Sequence, residues 1–297
     1  MIVGASLGSF INLTLERAIK LYLKLSDEFG LKAVELRFEK DIRWPSLWHW
    51  EVDNRIRCFL ERFEVVGVHL PFIYINPISP NTKIREESIK QLKEAMTKAA
   101  EVGATYTVMH ANGLFLGFSK ERQFDEWFGI INELASYAEE KSLLLTVENA
   151  DFLWNLADLA KIVKKINSPW LKITFDIGHA HMRKVPSLQE YPLKELFLRI
   201  SDAILPSFLF KKNMPYEEYN SIENFVRAEK EFIYAIHVHD YNGRRDHLPI
   251  GEGKINFSFL SELKDFKGPW IFEVKLFKNY YENFAKSYNK FMKLMNK

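Results

Sequence analysis

The chain has 297 residues, 47% of them hydrophobic and 27% charged, a composition able to bury a full core as one large globular domain or two small ones. Lys and Arg number 41 against 39 Asp and Glu, a net charge of +2, which argues against a protein whose main task is to coat nucleic acid or an anionic membrane. The single cysteine, Cys58, excludes an intrachain disulfide framework and a cysteine-rich zinc site; no apolar run reaches membrane-spanning length, and Met1-Ile2-Val3-Gly4 lacks the basic start of a signal peptide, so a cytoplasmic location is expected.

The first predicted strand covers 2–5, and apolar residues at helical spacing follow over 14–29. Strands are predicted next at 33–37, 65–69, 105–110, 143–148 and 172–176, with helical spacing over 84–102, 124–141 and 156–166. Two more strands fall at 233–239 and 270–274, and a Lys-rich amphipathic segment over 278–297 closes the chain. Strands alternating with helices at this pace are parallel with crossover connections, and eight units over this length fit a (β/α)₈ barrel better than an open sheet. The whole of 1–297 is therefore expected to form one α/β barrel. The interval from 172 to 233 is too long for one unit. Its excess, about 182–231, holds Pro186, Pro192, Pro206, Pro215 and the run Phe208-Leu209-Phe210, and reads as a loop-helix element inserted after strand six. Such an insertion lies over the active-site face, as a lid or as a contact in a homo-oligomer.

Chemistry gathers at the strand ends. Val-Gly-Val-His69, Thr-Val-Met-His110, Leu-Thr-Val-Glu148, Ile-Thr-Phe-Asp176, His237-Val-His239-Asp240 and Ile-Phe-Glu273 each end an apolar run on a residue able to bind a metal. Seven of the eight histidines (His69, His110, His179, His181, His237, His239, His247) belong to this set or follow it closely, and only His49, between Trp48 and Trp50, does not. One such residue alone is more often hydrogen-bonded structure than a ligand. Three carboxylates converging from apolar strands are different, because they repel one another unless a cation sits among them. Glu148, Asp176, His237 and Glu273 form an oxygen-rich four-ligand set suited to Mn²⁺, Co²⁺, Mg²⁺ or Zn²⁺. His237 and His239 share one face of their strand. The deeper His237 is assigned to the metal and His239 to a substrate or supporting role, with the reverse assignment left open by spacing alone.

Other features read as structure. Glu35 pairs with Arg37 or another neighbour, Gly251 and Gly253 serve a tight turn, and Phe72, Tyr74, Phe115 and Trp154 are rings placed to wall a pocket beyond the strand ends.

The succession His69-Leu-Pro with Asn76, His110-Ala-Asn-Gly, Glu148-Asn, Asp176-Ile-Gly-His179, His237-Val-His-Asp240, Asp246-His247-Leu-Pro-Ile-Gly251-Glu-Gly253 and Glu273 resembles the xylose-isomerase-like barrel superfamily, over most of the chain. That superfamily holds sugar and sugar-phosphate isomerases and epimerases, and also the endonuclease IV class of abasic-site nucleases. In the isomerase branch the resemblance implies one divalent ion on Glu148, Asp176, His237 and Glu273. Glu148 and Glu273 would move a proton between adjacent carbons of a small carbohydrate or sugar phosphate through an enediolate, and His179 would contact a substrate hydroxyl. Arg244 and Arg245 would hold a phosphate, or lie on a solvated loop. In the nuclease branch it implies three zinc ions and abasic-site DNA. His69, His110 and Glu148 would hold the first ion, the quartet the second, and His179 with His247, helped by Asp246, the third.

Three details favour the isomerase branch. Asp246 and His247 are adjacent where the nuclease pattern spaces them by one, and neighbouring side chains in an extended segment point opposite ways. Asp176-Ile-Gly-His179 departs from the Asp-Thr/Ser-Cys-His form usual in the nucleases. Finally, the chain has no Arg/Lys stripe to track a duplex beyond Arg183-Lys184 and Lys211-Lys212. A dead barrel used only for binding would show some of the four core ligands replaced, and all four are present.

Overall fold

A computed structural model describes residues 1–39, 54–111, 120–150, 156–182, 217–276 and 278–296. Most of the predicted insertion lies outside these residues, as do His49, Phe115, Trp154, Arg183-Lys184 and Lys211-Lys212.

Eight strands, β1 (Ile2–Ser6), β2 (Ala33–Arg37), β3 (Val65–His69), β4 (Tyr106–His110), β5 (Leu144–Glu148), β6 (Leu171–Asp176), β7 (Ile233–Val238) and β8 (Pro269–Phe272), close into a parallel barrel in sequence order. β1 pairs with β8 to complete the ring. The helices between them are α1 (Leu15–Phe29), α2 (Asn54–Leu60), α3 (Thr82–Glu101), α4 (Lys120–Glu140), α5 (Leu156–Ile166), the short α6 (Ile177–Ala180), α7 (Ile222–Glu229) and the closing α8 (Tyr280–Met295). Their boundaries follow local chemistry. The Thr14 hydroxyl accepts the Arg17 N–H at the start of α1, and Gly30, at φ 64°, ends it in the left-handed conformation that a β-carbon disfavours. Asn81 and Ser221 cap α3 and α7 in the same way. No helix among the described residues is long and apolar enough to cross a membrane.

The strands are buried on both faces, and their two-residue period sorts them into two cores. Val34, Leu36, Val66, Val68, Val147, Phe175, Val238, Trp270 and Phe272 point outward and pack in the large core beneath the helices. Ala33, Val65, Tyr106, Val108, Ala235 and Ile271 point inward and fill the barrel. The inward parity, continued to the strand ends, carries Arg37, His69, His110, Glu148, Asp176, His237 and Glu273 to the C-terminal mouth. Register keeps them level: Arg37 lies opposite His69, His110 opposite Glu148, and Asp176 opposite His237.

Candidate metal centre at the barrel mouth

Three adjoining groups of ligating atoms occupy this mouth, each with its atoms within 4.8 Å of one another: His69, His110 and Glu148; Glu148, Asp176, His237 and Glu273; and Asp176, His179, His239 and His247. Glu148 and Asp176 belong to two groups each, so the three form one continuous cluster.

In the first group the Nδ1–H of His69 donates to the Leu70 carbonyl at 2.9 Å, which leaves its Nε2 lone pair facing inward. That atom lies 3.0 Å from Nε2 of His110 and 3.5 Å from Oε2 of Glu148. Phe72 stacks on His110 with ring centroids 4.3 Å apart, a wall for the site as expected, whereas Tyr74 stands 97% exposed and walls nothing.

The quartet is the most deeply buried part. Glu148, Asp176 and His237 are 0–1% exposed and Glu273 4%. Nδ1 of His237 lies 3.0 Å from Oε2 of Glu273, 3.3 Å from Oε2 of Glu148 and 3.8 Å from Oδ2 of Asp176. Burial alone would raise the carboxyl pKa values, but the imidazoles outweigh it. His110 and His237 hold Glu148 well below the usual carboxylate range, and His237 does the same for Glu273. Burial disfavours charge on His237, yet Glu35, Glu148 and Glu273 drive its pKa well above the ordinary imidazole value. Asn149 braces this floor: its side-chain amide donates to the Asp176 carbonyl at 2.9 Å and its Oδ1 accepts the Asp176 N–H at 2.7 Å.

The third group is built by α6 and a hairpin. Asp176 caps α6 by accepting the His179 N–H at 2.6 Å, and Nδ1 of His179 lies 3.0 Å from Oε1 of Glu148. Beyond β7, Asp240 and Leu248 pair in antiparallel fashion, which returns His247 to stack on His239 at 4.2 Å and 6°. The turn behind the hairpin is tied to Asp240, whose carboxylate accepts the N–H groups of Tyr241, Gly251, Gly253 and Ile255 at 2.8–3.2 Å. A β-carbon on residue 253 would lie 2.1 Å from Oδ1 of Asp240, so the predicted tight turn requires glycine there. The cleft of about 450 Å³ between this turn and α8 lies outside the cluster and shares only Asp240 with the hairpin.

The expectation that Asp246 and His247 cannot serve one point is corrected. His247 adopts φ 54°, so the alternation of an extended segment does not apply. Oδ2 of Asp246 comes within 2.9 Å of Nδ1 of His247 and 3.8 Å of Nε2 of His179. His239 is fully buried with both ring nitrogens engaged. Its Nδ1 accepts the His247 N–H at 2.9 Å, which puts its proton on Nε2, donated to Asp176 at 2.9 Å. It stands beside Asp176, within the third ligand group. Arg244 and Arg245 are exposed at the hairpin tip, where their N–H groups donate to Oδ1 of Asn242, in keeping with a solvated loop. His181 turns away, its Nδ1–H donating to the Ile177 carbonyl at 2.7 Å.

The residues fit a bound cation on an observation independent of their identity. Oε2 of Glu148, Nδ1 of His237 and Nδ1 of His247 are buried and form no well-aligned hydrogen bond, although Nδ1 of His237 lies 3.0 Å from Oε2 of Glu273 and Nδ1 of His247 2.9 Å from Oδ2 of Asp246. Buried polar atoms are ordinarily satisfied, and a cation among these would satisfy them. The cluster reaches solvent through His110, His179 and Asp246, whose side chains are 12%, 10% and 28% exposed. Of the partners expected for Glu35, the structure gives a neighbour other than Arg37. Glu35 is fully buried and contacts Tyr106 and His237, each at 3.0 Å, while Arg37 pairs with Glu273.

The chain is thus a parallel eight-stranded barrel carrying a cluster of potential metal ligands at its C-terminal face. The chain belongs to the xylose isomerase-like TIM barrel family, whose model matches residues 23–292. It is 30% identical over 231 residues to an uncharacterised protein of Methanocaldococcus jannaschii, covering 73% of this chain and 67% of that one. It is also 28% identical to a protein of Aquifex aeolicus designated "Probable endonuclease 4", covering 77% of this chain and 78% of that protein. Among solved structures, a D-tagatose 3-epimerase-like protein superposes with a TM-score of 0.68 at 23% identity, covering 100% of this chain and 97% of the other, a likeness of fold.

Proposed function

We propose that this protein is a metal-dependent phosphodiesterase whose cluster holds up to three divalent ions, with a phosphodiester such as abasic-site DNA as substrate. The observation that carries this reading is the sharing of Glu148 and Asp176 between adjoining ligand groups. A one-ion isomerase needs only the quartet. It needs no metal ligand from the His69/His110 pair, whose Nε2 atoms lie 3.0 Å apart, or from His247 and Asp246, which converge with His179 on the opposite side. The designation of the Aquifex relative supports the same chemistry.

His69, His110 and Glu148 would hold the first ion, Glu148, Asp176, His237 and Glu273 the second, and His179, His247 and Asp246, with Asp176, the third. Bound there, zinc or a similar ion would supply Lewis acidity to phosphoryl oxygens and lower the pKa of water at the site. The chain's own groups do the rest. Glu148 and Asp176 carry negative charge between adjoining positions, His239 and Asn149 hold Asp176 in place, and Phe72 closes one wall. The deep burial of the quartet keeps bulk water from its carboxylates. His110, His179 and Asp246 at the opening are the groups a substrate meets first.

A second reading is favoured by the paired glutamates of the quartet. Glu148 and Glu273 would move a proton between adjacent carbons of a ketose or ketose phosphate, around one Mn²⁺, Co²⁺, Mg²⁺ or Zn²⁺ ion. Against it, Arg37 pairs with Oε1 of Glu273 at 2.5 Å, which ties up one oxygen of a carboxylate that would have to carry the proton.

Elemental analysis of metal per chain, with incision of an abasic-site duplex run beside a panel of ketoses and ketose phosphates, separates the two. Three ions per chain and strand incision are expected. One ion per chain with ketose turnover and no incision would overturn the phosphodiesterase reading.

A further inference from the structure

Strand β2 contributes no member of the three ligand groups, yet two of its inward-facing residues are buried charges. Glu35 is 0% exposed and Arg37 7%. Buried charges at a strand end are costly unless paired, and each of these is paired with a quartet residue. Oε2 of Glu35 lies 3.0 Å from Nε2 of His237, and Nη2 of Arg37 lies 2.5 Å from Oε1 of Glu273. In both cases β2 engages the atom turned away from the cluster. The atoms left facing inward are Nδ1 of His237 and Oε2 of Glu273, 3.0 Å apart.

Glu35 is itself set from a third strand. The Tyr106 hydroxyl donates to the same Oε2 at 3.0 Å, crossing the barrel interior past β3. Gly67 makes that crossing possible, because a β-carbon there would lie 2.3 Å from Cζ of Tyr106. Burial and the neighbouring Glu35 push the Tyr106 hydroxyl well above its ordinary pKa, so it stays a donor. With the Glu35 carboxylate accepting from Tyr106 and lying 3.0 Å from Nε2 of His237, the proton of a neutral His237 belongs on Nε2, and the lone pair belongs on Nδ1.

We infer that Glu35 and Arg37 are positioning residues, fixing the His237 tautomer and the Glu273 rotamer so that Nδ1 and Oε2 are the atoms offered to the central ion. This rests on the reading that the quartet holds an ion, and applies to either reaction proposed for it. Partners behind a ligating imidazole commonly govern affinity by roughly 10- to 100-fold.

Two measurements test it. In zinc-loaded, ¹⁵N-histidine-labelled wild-type protein, ring nitrogen shifts should show His237 protonated at Nε2 and coordinated at Nδ1; the opposite assignment overturns the proposal without any variant. Competition against a chromophoric chelator should then show Glu35→Gln losing roughly tenfold or more in zinc affinity, in protein whose circular dichroism shows the barrel folded. Affinity within about twofold of wild type in folded Glu35→Gln, a difference below about 0.4 kcal/mol, refutes the role of Glu35 while leaving the metal site standing. If wild-type protein binds no zinc, the reading of the site falls and this proposal falls with it.

Discussion

Gly178→Ala is the substitution whose consequence can be worked most directly from distances. A β-carbon at 178 would sit 1.9 Å from Cε1, 2.3 Å from Nδ1 and 2.7 Å from Nε2 of His239. The imidazole is fully buried between His179 and His247, so it cannot swing into solvent. Forcing a methyl into a packed interior costs about 1–3 kcal/mol. Displacing the ring also removes its hydrogen bond to the ionised Asp176, worth about 1.5–3 kcal/mol. Together the loss is about 2.5–6 kcal/mol. Unfolding entropy of about 2.1 cal/mol/K per residue over 297 residues gives roughly 0.6 kcal/mol/K, so Tm should fall by about 4–10 °C. Thermal unfolding of Gly178→Ala, His239→Ala and the double variant forms the assay. The clash predicts strong non-additivity, with Gly178→Ala costing less than about 1 kcal/mol once His239 is gone. A Tm within about 2 °C of wild type, or additive losses, would refute the packing argument. The same contact requires glycine in Asp176-Ile-Gly-His179: the imidazole of His239 already fills the space a side chain would take.

Glu148→Gln should abolish turnover and cut metal content below the wild-type ratio, since one residue serves two ligand groups; full activity with unchanged metal content would disprove its shared role. Metal-stripped protein should be most heat-stable near pH 6.5, because the lowered imidazoles of His110 and His247 add stability as pH rises toward that value. The depressed carboxylates of Glu148 and Glu273 contribute stability that is present above their unfolded pKa and lost as pH falls through the folded one; the raised imidazoles of His179 and His237 contribute stability present below pH 6.5 and lost as pH rises through their folded values. A metal-free Tm that keeps climbing from pH 6.5 to about 9 contradicts that sign. Tyr106→Phe should lower Tm by about 3–5 °C, because the buried Glu35 loses a donor worth about 1.5–3 kcal/mol; differential scanning calorimetry showing no change would remove Tyr106 from the network.

How much of the site was legible follows from what each part depends on. His69, His110, Glu148, Asp176, His237 and Glu273 could be read from the chain because each ends a local apolar run, and a two-residue period places all of them on one face of a closed barrel. The partners behind them could not. Glu35 meets His237 across 202 residues and Arg37 meets Glu273 across 236, and no local pattern encodes a pairing formed only when the ring closes. Asn149 stood in plain view beside Glu148, yet its grip on both backbone groups of Asp176 needs the register between β5 and β6.

The near-neutral charge and the eight histidines determined less than they suggested. Periodicity and spacing were enough to define the α/β barrel and to set its polar residues at the mouth, because both are repeats of short-range geometry. The convergence of Asp246, His247 and His179 depended instead on the left-handed backbone at His247. That angle is imposed by the Asp240–Leu248 hairpin and the turn tied to Asp240, contacts that exist only once β7 is seated in the folded barrel.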